Sequence, residues 1–243
     1  MLHRTFKNRY EIKYIANLKQ VTALKNIIKN FFEQDINTTK FSGYYNYSIY
    51  FDSPSYFFYR EKQEGFLKRI KPRLRTHLSD VNEIPKIWFL ELKGRHDRTI
   101  HKRRVKLNHS MVKDLLIGKK NFKCIKDQTM NDFEYLWDRL DLKPSVSVFY
   151  FREPFNSEIF SNVRITFDHR ISASLNFDPF STKDNLKYII PPENVIIELK
   201  YTNSIPRFIL QIFRKIGAKQ ITFSKYALSL EACINRLPIL KRK

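Results

Sequence analysis

The chain has 243 residues, 42% of them hydrophobic and only 5 of them glycine, so it can form a packed core and its composition argues against low-complexity disorder. Its 45 Lys and Arg outnumber 24 Asp and Glu for a net charge of +21, which implies an anionic partner such as nucleic acid, a lipid surface or a phosphate-rich small molecule. Two cysteines, Cys124 and Cys233, are too few for a disulfide framework or a zinc site. Because the sequence has neither a long apolar run nor a signal-peptide pattern, we expect a cytoplasmic protein without a transmembrane helix.

The first half of the chain predicts five strands and one helix. Alternating polar and apolar residues predict strands over 6–14, 45–51, 67–77, 86–95 and 100–106. A helix capped by Asn17 is predicted between the first two strands. Its apolar residues recur at helical spacing and are Leu18, Val21, Leu24, Ile28 and Phe31.

The second half predicts short helices over 110–119 and 130–140, followed by strands over 146–152, 163–168 and 195–201. Two helices close the chain: one over 206–216, which stops at Gly217, and one capped by Ser224. The total is about eight strands in an order compatible with antiparallel pairing. Because neither an internal repeat nor a flexible linker interrupts them, we expect one domain over 1–243, with a solvated basic tail over 241–243.

The densest charge pattern lies in residues 67–77, which read L-K-R-I-K-P-R-L-R-T-H. Successive side chains of a strand point to opposite faces, so Arg69, Lys71, Arg73 and Arg75 are predicted to share one face. A row of cations this dense repels itself. It becomes understandable if the row faces something strongly anionic.

Most other predicted strands repeat this pattern, with Arg and Lys on one face and aliphatic or aromatic residues on the other. A sheet that curls into a barrel with its charges inward needs its apolar outer face covered, and the amphipathic helices can supply that cover. We therefore expect an α+β fold: an antiparallel β-barrel tunnel of about eight strands with a basic interior, flanked by helices. A sheet with a solvated basic face and a nucleic-acid surface stay open as alternatives. Nucleic acid is disfavoured because the aromatic residues fall mostly on apolar positions and no recognition motif is present.

Nine short motifs occur in order along the chain: R-Y-E-I-K-Y (9–14), I-Y-F-D-S-P (49–54), K-P-R-L-R (71–75), F-L-E-L-K-G-R (89–95), K-R-R-V (102–105), Y-F-R (150–152), V-R-I-T-F-D (163–168), V-I-I-E-L-K-Y (195–201) and F-S-K-Y (223–226). Together they resemble the VTC domain, the polyphosphate polymerase domain of the vacuolar transporter chaperone family. That family belongs to the CYTH-like, or triphosphate tunnel metalloenzyme, superfamily. The resemblance implies an antiparallel barrel whose basic tunnel holds a triphosphate and a divalent metal. The chain looks like the compact, stand-alone form found in bacteria.

The resemblance implies a polyphosphate polymerase that transfers the terminal phosphoryl group of ATP to a growing polyphosphate chain. It implies Mn2+ or Mg2+ as the cofactor and ATP and polyphosphate as ligands, and it leaves a membrane-protein partner open. Carried over by motif, the expected catalytic residues are Arg73, Arg75, Arg152, Arg164 and Lys93. The expected phosphate-binding residues are Lys13, Lys71, Lys102, Arg104, Tyr150, Lys200, Ser224 and Lys225. The expected metal-binding carboxylates are Glu198 and then Glu11, with Glu91 and Asp168 less clearly implied.

Some features depart from the family pattern. Members often carry a lysine three residues before the lysine of the F-S-K motif, where this chain has Thr222. The SPX domain and transmembrane segments of eukaryotic members are not found in this sequence, so regulation and product export are not carried over. Two rival functions stay open: a triphosphatase in the same tunnel, with water as the acceptor, and a non-catalytic polyphosphate- or nucleic-acid-binding module. Neither a P-loop nor metal-ligand spacing among the six histidines points to a different mechanism.

Overall fold

The computed structural model describes residues 9–35, 42–97, 99–119, 125–157, 159–160, 162–178 and 186–234. Its strands are β1 (Arg9–Asn17), β2 (Glu33–Gln34), β3 (Tyr44–Asp52), β4 (Lys68–Leu78), β5 (Trp88–His96), β6 (Thr99–Leu107), β7 (Lys143–Asn156), β8 (Val163–Ser174), β9 (Lys187–Tyr188), β10 (Asn194–Thr202) and β11 (Lys219–Gln220). Its helices are α1 (Leu18–Ile28), α2 (Phe57–Gln63), α3 (His109–Leu116), α4 (Gln128–Leu140), α5 (Arg207–Lys215) and α6 (Lys225–Cys233). Each helix in these ranges is too short or too polar to serve as a membrane span.

The strands form one antiparallel sheet in the order β11, β1, β10, β8, β7, β3, β4, β5, β6, with β2 added to β7 and β9 to β8. The sheet curls until its far strands meet: β6 contacts β1, and Lys93 Nζ of β5 lies 3.8 Å from Glu11 Oε2 of β1. In the described ranges, eight strands have nine residues or more, which confirms the predicted number. The expected antiparallel tunnel is likewise confirmed.

A backbone ladder does not close this tunnel within the part of the chain that the structure describes. On one side β1 pairs with β10, and on the other its Tyr14 and Ile15 pair with the two-residue β11. Because β11 occupies that edge, β6 stays an edge strand, and the two ends of the sheet meet through side chains. We call this side-chain junction of β1 with β5 and β6 the seam. Exposed cations on β6 discourage pairing of its free edge with another chain.

The predicted helix after Asn17 is present, and its start is fixed by a reciprocal cap. The Asn17 side chain accepts from the backbone N–H of Gln20 at 3.0 Å, and the Gln20 side chain accepts from that of Asn17 at 2.9 Å. The helix ends at Ile28, so Phe31, expected on its apolar face, lies beyond the last turn and is exposed. Ser224 caps α6 as predicted, by accepting from the backbone N–H of Ala227 at 3.3 Å.

Helix α2 was not predicted, because its sequence FFYREKQ follows the Asp52-Ser53-Pro54 turn without clear helical periodicity. The structure supplies a cap from upstream: the buried Asp52 carboxylate accepts from the backbone N–H groups of Phe58 and Tyr59 at 2.9 and 3.0 Å. Strands β7 and β8 are also longer than predicted. The start of the first predicted strand (6–8), Cys124 and the basic tail lie outside the described residues, and the single-domain prediction stays a prediction.

The hydrophobic core lies mainly on the convex side of the sheet, beneath the outer helices. Helices α1 and α5 cover β1, β8 and β10 with a cluster that includes Leu24, Phe167 and Phe213. Helices α3 and α4 cover β3 to β6 with a cluster that includes Trp88 and Phe133. These helices therefore provide the predicted apolar cover, which leaves the concave side of the sheet to polar groups.

Candidate functional site

Charged residues of the long strands and of α6 collect on the concave side of the sheet, which we call the charged lining. Strand alternation places them there: Arg73 is opposite Glu91, Lys71 is opposite Lys93, and both pairs share a face. We take the charged lining to comprise the nine cations and four carboxylates that form its connected network of contacts among the described residues. They are Lys13, Lys71, Arg73, Arg75, Lys93, Lys102, Arg152, Lys200 and Lys225, with Glu11, Glu91, Asp168 and Glu198.

Arg152 organises one half of the charged lining. Its Nε and Nη2 donate to the two oxygens of Asp168 at 2.6 and 2.7 Å, and Nη2 also donates to Glu198 at 2.9 Å. Lys225, the first residue of α6, reaches the same two carboxylates at 2.5 and 2.8 Å. Lys200 adds a third cation to Glu198 at 2.6 Å. Fixed geometry of this kind is typical of fully buried ion pairs, which need several partners to offset their desolvation.

Arg73 organises the other half. Its Nε and Nη2 donate to Glu91 at 2.9 and 2.7 Å, and its Nη1 donates to the Tyr50 hydroxyl at 3.0 Å. Lys102 of β6 also contacts the Glu91 carboxylate. Arg75 differs, because its Nε donates to the neutral Asn46 side chain at 3.0 Å while its Nη1 stays 3.9 Å from Glu91. Arg75 therefore has a longer contact with its carboxylate partner than Arg73 has.

Glu11 joins the two halves across the seam. Its carboxylate lies 3.2 Å from the Lys13 ammonium on the same strand and 3.8 Å from that of Lys93 on β5. Lys13 also donates to the Phe223 carbonyl at 2.7 Å, just before the start of α6. These contacts bring β1, β5 and the start of α6 together around one carboxylate.

Lys71 is the lining cation with the weakest anionic support. Its ammonium donates to the Ser224 hydroxyl at 2.8 Å, and within the described ranges no carboxylate lies at ion-pair distance from it. Burial lowers its pKa well below the ordinary value, and the nearby charges of Lys13 and Lys93 lower it further. An anion placed beside Lys71 would raise this pKa again, because it stabilises the charged ammonium.

The pKa values of the four lining carboxylates all lie below their ordinary range. Burial alone raises each pKa, but the cations bonded to Glu11, Glu91, Asp168 and Glu198 more than offset it. For two lysines of the charged lining, Lys200 and Lys102, burial is the larger influence on the pKa. Burial lowers the pKa of Lys200 to about 7 and that of Lys102 to about 8, although Glu198 and Glu91 respectively oppose the shift.

From the lowered pKa values of Lys200 and Lys102 we expect the protein without a bound anion to become more stable as pH rises from 7 to 9. The folded pKa of Lys200 is about 7, whereas an exposed lysine titrates at about 10.4. Between those values the unfolded chain binds more protons, so the free energy of unfolding should increase, by roughly 2 kcal/mol from Lys200 alone over this interval. Urea denaturation at pH 7, 8 and 9 measures it. Lys200→Met should flatten the slope, and a wild-type stability that falls over this interval would contradict the prediction.

Three predicted residues lie apart from the main ion-pair network. Arg164 is on the lining face of β8, but its Nη2 donates to Asp35 at 2.7 Å. Arg104 is exposed on edge strand β6, with its guanidinium 4.7 Å from the centre of the Phe89 ring. Tyr150 is buried, and its ring faces Lys225 at 4.8 Å and Arg152 at 5.2 Å. The remaining predicted residues are brought together in the charged lining, and the roles of all of them stay predictions.

Sequence reasoning missed two groups of β3 that hold the arginines of β4. Asn46 accepts from Arg75, and Tyr50 accepts from Arg73. The signal was present in the alternation of Asn46, Ser48 and Tyr50 along the strand, since these residues share the face opposite Tyr47 and Ile49. This alternation is easily overlooked, because the many aromatic residues of the segment suggest an apolar strand.

The carboxylates of Glu11 and Glu198 provide the best fit to a divalent metal. In the described part of the chain no three His, Cys, Asp or Glu residues gather as metal ligands. Glu11 and Glu198 lie on neighbouring strands, with Lys13 at 3.2 and 3.9 Å from their respective carboxylates. Mg2+-type ions are commonly bound by one or two carboxylates together with substrate phosphates and water. The two residues therefore fit a metal that takes its other ligands from a phosphate substrate.

In the described chain, a curled antiparallel sheet surrounds a lining of cations and carboxylates. The profile of the VTC domain family matches residues 8–234, so the chain belongs to the VTC domain family. This confirms the family resemblance seen in the motifs.

Solved structures with a similar chain path are distant in sequence. The PH1819 protein from Pyrococcus horikoshii OT3 is 18% identical, covers 92% of this chain and 98% of its own, and has a TM-score of 0.46. A proposed adenylate cyclase from Bacillus halodurans is 12% identical, with coverages of 90% and 94% and a TM-score of 0.49. The Mimivirus capping enzyme triphosphatase is 14% identical, with coverages of 86% and 89% and a TM-score of 0.37. Comparison with curated proteins gives no match.

Proposed function

We propose that the chain is an ATP-dependent polyphosphate polymerase. The observation that carries this proposal is the excess of nine cations over four carboxylates in the charged lining of the described chain. Such a lining repels itself when empty, and a linear polyanion offsets the excess along its whole length. Membership of the VTC domain family supports the same substrate class.

In the proposed reaction, the γ-phosphorus of ATP loses its bond to the oxygen that bridges it to the β-phosphate. It forms a bond to a terminal oxygen of the acceptor chain, and ADP leaves. Phosphate groups lose their second proton with a pKa of about 6, so the acceptor oxygen is ionised near neutral pH. Such a transfer needs charge neutralisation and in-line positioning, and no side chain has to act as a nucleophile.

The state of the carboxylates favours a phosphate acceptor over water. Water must lose a proton when it attacks, whereas an ionised phosphate oxygen has none to lose. All four carboxylates of the charged lining are already engaged by cations, so none of them is free to accept a proton from an attacking water. This supports the polymerase over a triphosphatase in the same tunnel.

Arg75, Lys71 and Lys93 are the residues we propose to contact phosphate oxygens. Arg75 and Lys71 are hydrogen-bonded to neutral groups, and Lys93 is 3.8 Å from its nearest carboxylate, so none of the three is held in a close ion pair that a phosphate would have to displace. Arginine suits multi-point contact with phosphate, and lysine supplies a compact charge. Arg73 and Arg152 form direct ion pairs with carboxylates, so we propose that their main role is to hold the carboxylates of the charged lining in position.

Glu11 and Glu198 would hold the divalent cation, Mn2+ or Mg2+. When bound, the metal neutralises part of the phosphate charge that builds up at the reacting groups. The protein contributes the orientation of these carboxylates: Lys13 and Lys93 hold Glu11, while Arg152, Lys200 and Lys225 hold Glu198.

Product analysis tests the proposed function. Purified protein is incubated with ATP and Mn2+, and the phosphate products are separated by chain length. Chains longer than triphosphate are expected, with ADP released in step. They should be lost in Lys71→Met and retained in Lys126→Met, an exposed cation outside the charged lining. Orthophosphate alone would replace the polymerase with a triphosphatase, and no turnover with any divalent metal or triphosphate would leave a binding module.

Glu11→Gln is expected to raise the Mn2+ concentration for half-maximal turnover by about tenfold or more, because an amide is a weaker ligand than a carboxylate. This variant separates metal binding from ion-pair loss better than Glu198→Gln does, since Glu198 bonds Arg152, Lys200 and Lys225. Glu193→Gln, at an exposed position, serves as the control. An unchanged metal titration in Glu11→Gln would remove Glu11 from the metal role.

A further inference from the structure

The convex side of the tunnel carries a surface without acidic groups on its helices. Helices α1 and α5 contact each other, and their sequences, LKQVTALKNII and RFILQIFRK, contain no Asp or Glu. Their apolar faces pack on the sheet through residues such as Leu24 and Phe213. Their outer faces expose positive charges from Lys19, Lys29, Arg207, Arg214 and Lys215, and an exposed carboxylate, Glu33, follows the turn after α1.

An exposed group of apolar side chains borders this cationic surface. Phe208, the second residue of α5, packs against Phe31 and Phe160, with ring centroids 5.4 Å apart in each pair. Ile159 lies beside Phe160 in the β7–β8 connection and is 69% exposed, while Phe31 is 36% exposed. We call Phe31, Ile159, Phe160 and Phe208 the apolar tip. Three separate segments of the chain build it, and its hydrophobic surface faces water.

We propose that α1, α5 and the apolar tip form a docking surface for an anionic lipid bilayer. Cations of one sign are attracted to acidic headgroups, and bordering aromatic and aliphatic groups can insert at the level of the interface. The two helices present cations with no carboxylate of their own, so their charge complements acidic headgroups. This surface lies on the convex side of the sheet, so the inference is independent of the chemistry in the charged lining.

The apolar tip favours lipid over nucleic acid. A nucleic acid would also bind the cations, and it would use aromatic rings as stacking platforms for bases. In the apolar tip, however, Phe208 packs against both other rings, and the most exposed side chain is the aliphatic Ile159. An aliphatic group gains from the acyl region of a bilayer and offers no stacking surface to a base.

Vesicle co-sedimentation tests the proposal on the full chain. We expect binding to phosphatidylcholine vesicles that contain phosphatidylglycerol, little binding to phosphatidylcholine alone, and weaker binding as salt is raised. Arg214→Glu with Lys215→Glu should weaken binding at least about tenfold. The matched control is Lys86→Glu with Lys126→Glu, which changes net charge equally at exposed positions outside this surface.

Ile159→Ser tests the apolar part and is expected to weaken vesicle binding severalfold. Its control is Ile117→Ser, since Ile117 is 67% exposed and lies outside the apolar tip. Thermal unfolding should be unchanged in all four variants. The proposal would be overturned if a test variant and its control lost vesicle binding equally. It would also be overturned if the wild type bound neutral vesicles as well as it binds vesicles that contain phosphatidylglycerol. RNA binding lost in the Arg214 and Lys215 variant while vesicle binding persists would also overturn it and assign the surface to nucleic acid.

Discussion

An Arg75→Met protein is expected to remain folded and to make polyphosphate about 100- to 1000-fold more slowly than the wild type. The magnitude is that of removing one preorganised hydrogen-bond donor from developing phosphate charge. The fold should survive because Arg75 is bonded to the neutral Asn46 and lies 3.9 Å from Glu91, so its loss strands no carboxylate. Polyphosphate formation and thermal unfolding, followed on the same sample, measure the two expectations.

Arg73 provides the contrasting control for Arg75. Arg73→Met alone should lower both activity and stability, because Glu91 is buried and would lose its principal partner. In the Arg73→Met protein, the second change Glu91→Gln removes the unpaired buried carboxylate charge. The double variant should therefore recover stability without recovering activity. If Arg75→Met turned over ATP at a near-normal rate, Arg75 would have no contact with phosphate, and the centre of the site would have to be placed elsewhere in the lining.

An Arg152→Met protein is expected to lose about 3–5 kcal/mol of unfolding free energy, the typical cost of removing one partner of a buried ion pair. Arg152 holds Asp168 through two hydrogen bonds and Glu198 through a third. Without it, Lys225 and Lys200 must balance two carboxylates that are almost completely buried. Urea denaturation of wild type and variant at one pH measures the difference.

Two further variants separate the ion-pair effect from a general effect of losing an arginine. Arg139→Met removes an exposed guanidinium from α4 and should change stability by no more than about 0.5 kcal/mol. Asp168→Asn should lower the free energy of unfolding less in the Arg152→Met protein than in the wild type, because the two residues form one ion pair. A loss below about 1 kcal/mol for Arg152→Met would mean that water or a neighbour replaces its guanidinium.

The lining face of each long strand could be predicted from sequence, because alternation in a strand is a local property. Arg73, Glu91 and Lys93 therefore share the face expected of them. The pairing of arginines with particular carboxylates could not be predicted. Arg152 meets Glu198 only because β8 lies between β7 and β10, and this strand order depends on the whole sheet.

The errors arose where distant groups decide local structure. Helix α2 starts where Asp52 caps it from the preceding strand, and propensity alone does not reveal that cap. Arg164 follows the expected alternation, yet Asp35 next to β2 binds it. Phe31 fits the period of α1 but lies past its end, where it packs with Phe208. For Arg164 and Phe31 the predicted spacing was correct, and a tertiary contact decided where the side chain lies.

The seam affects how a long polymer could leave the protein. A tunnel sealed by a backbone ladder forces a bound chain to thread out lengthwise, past every cation on its route. Here β1 and β5 are joined by the pairing of Glu11 and Lys93 at 3.8 Å, and the Lys93 side chain is 33% exposed. Partly exposed ion pairs hold by about 1 kcal/mol or less and weaken with salt. Along this line, within the described residues, a long product of the proposed reaction would have only side-chain contacts to displace, rather than a backbone ladder.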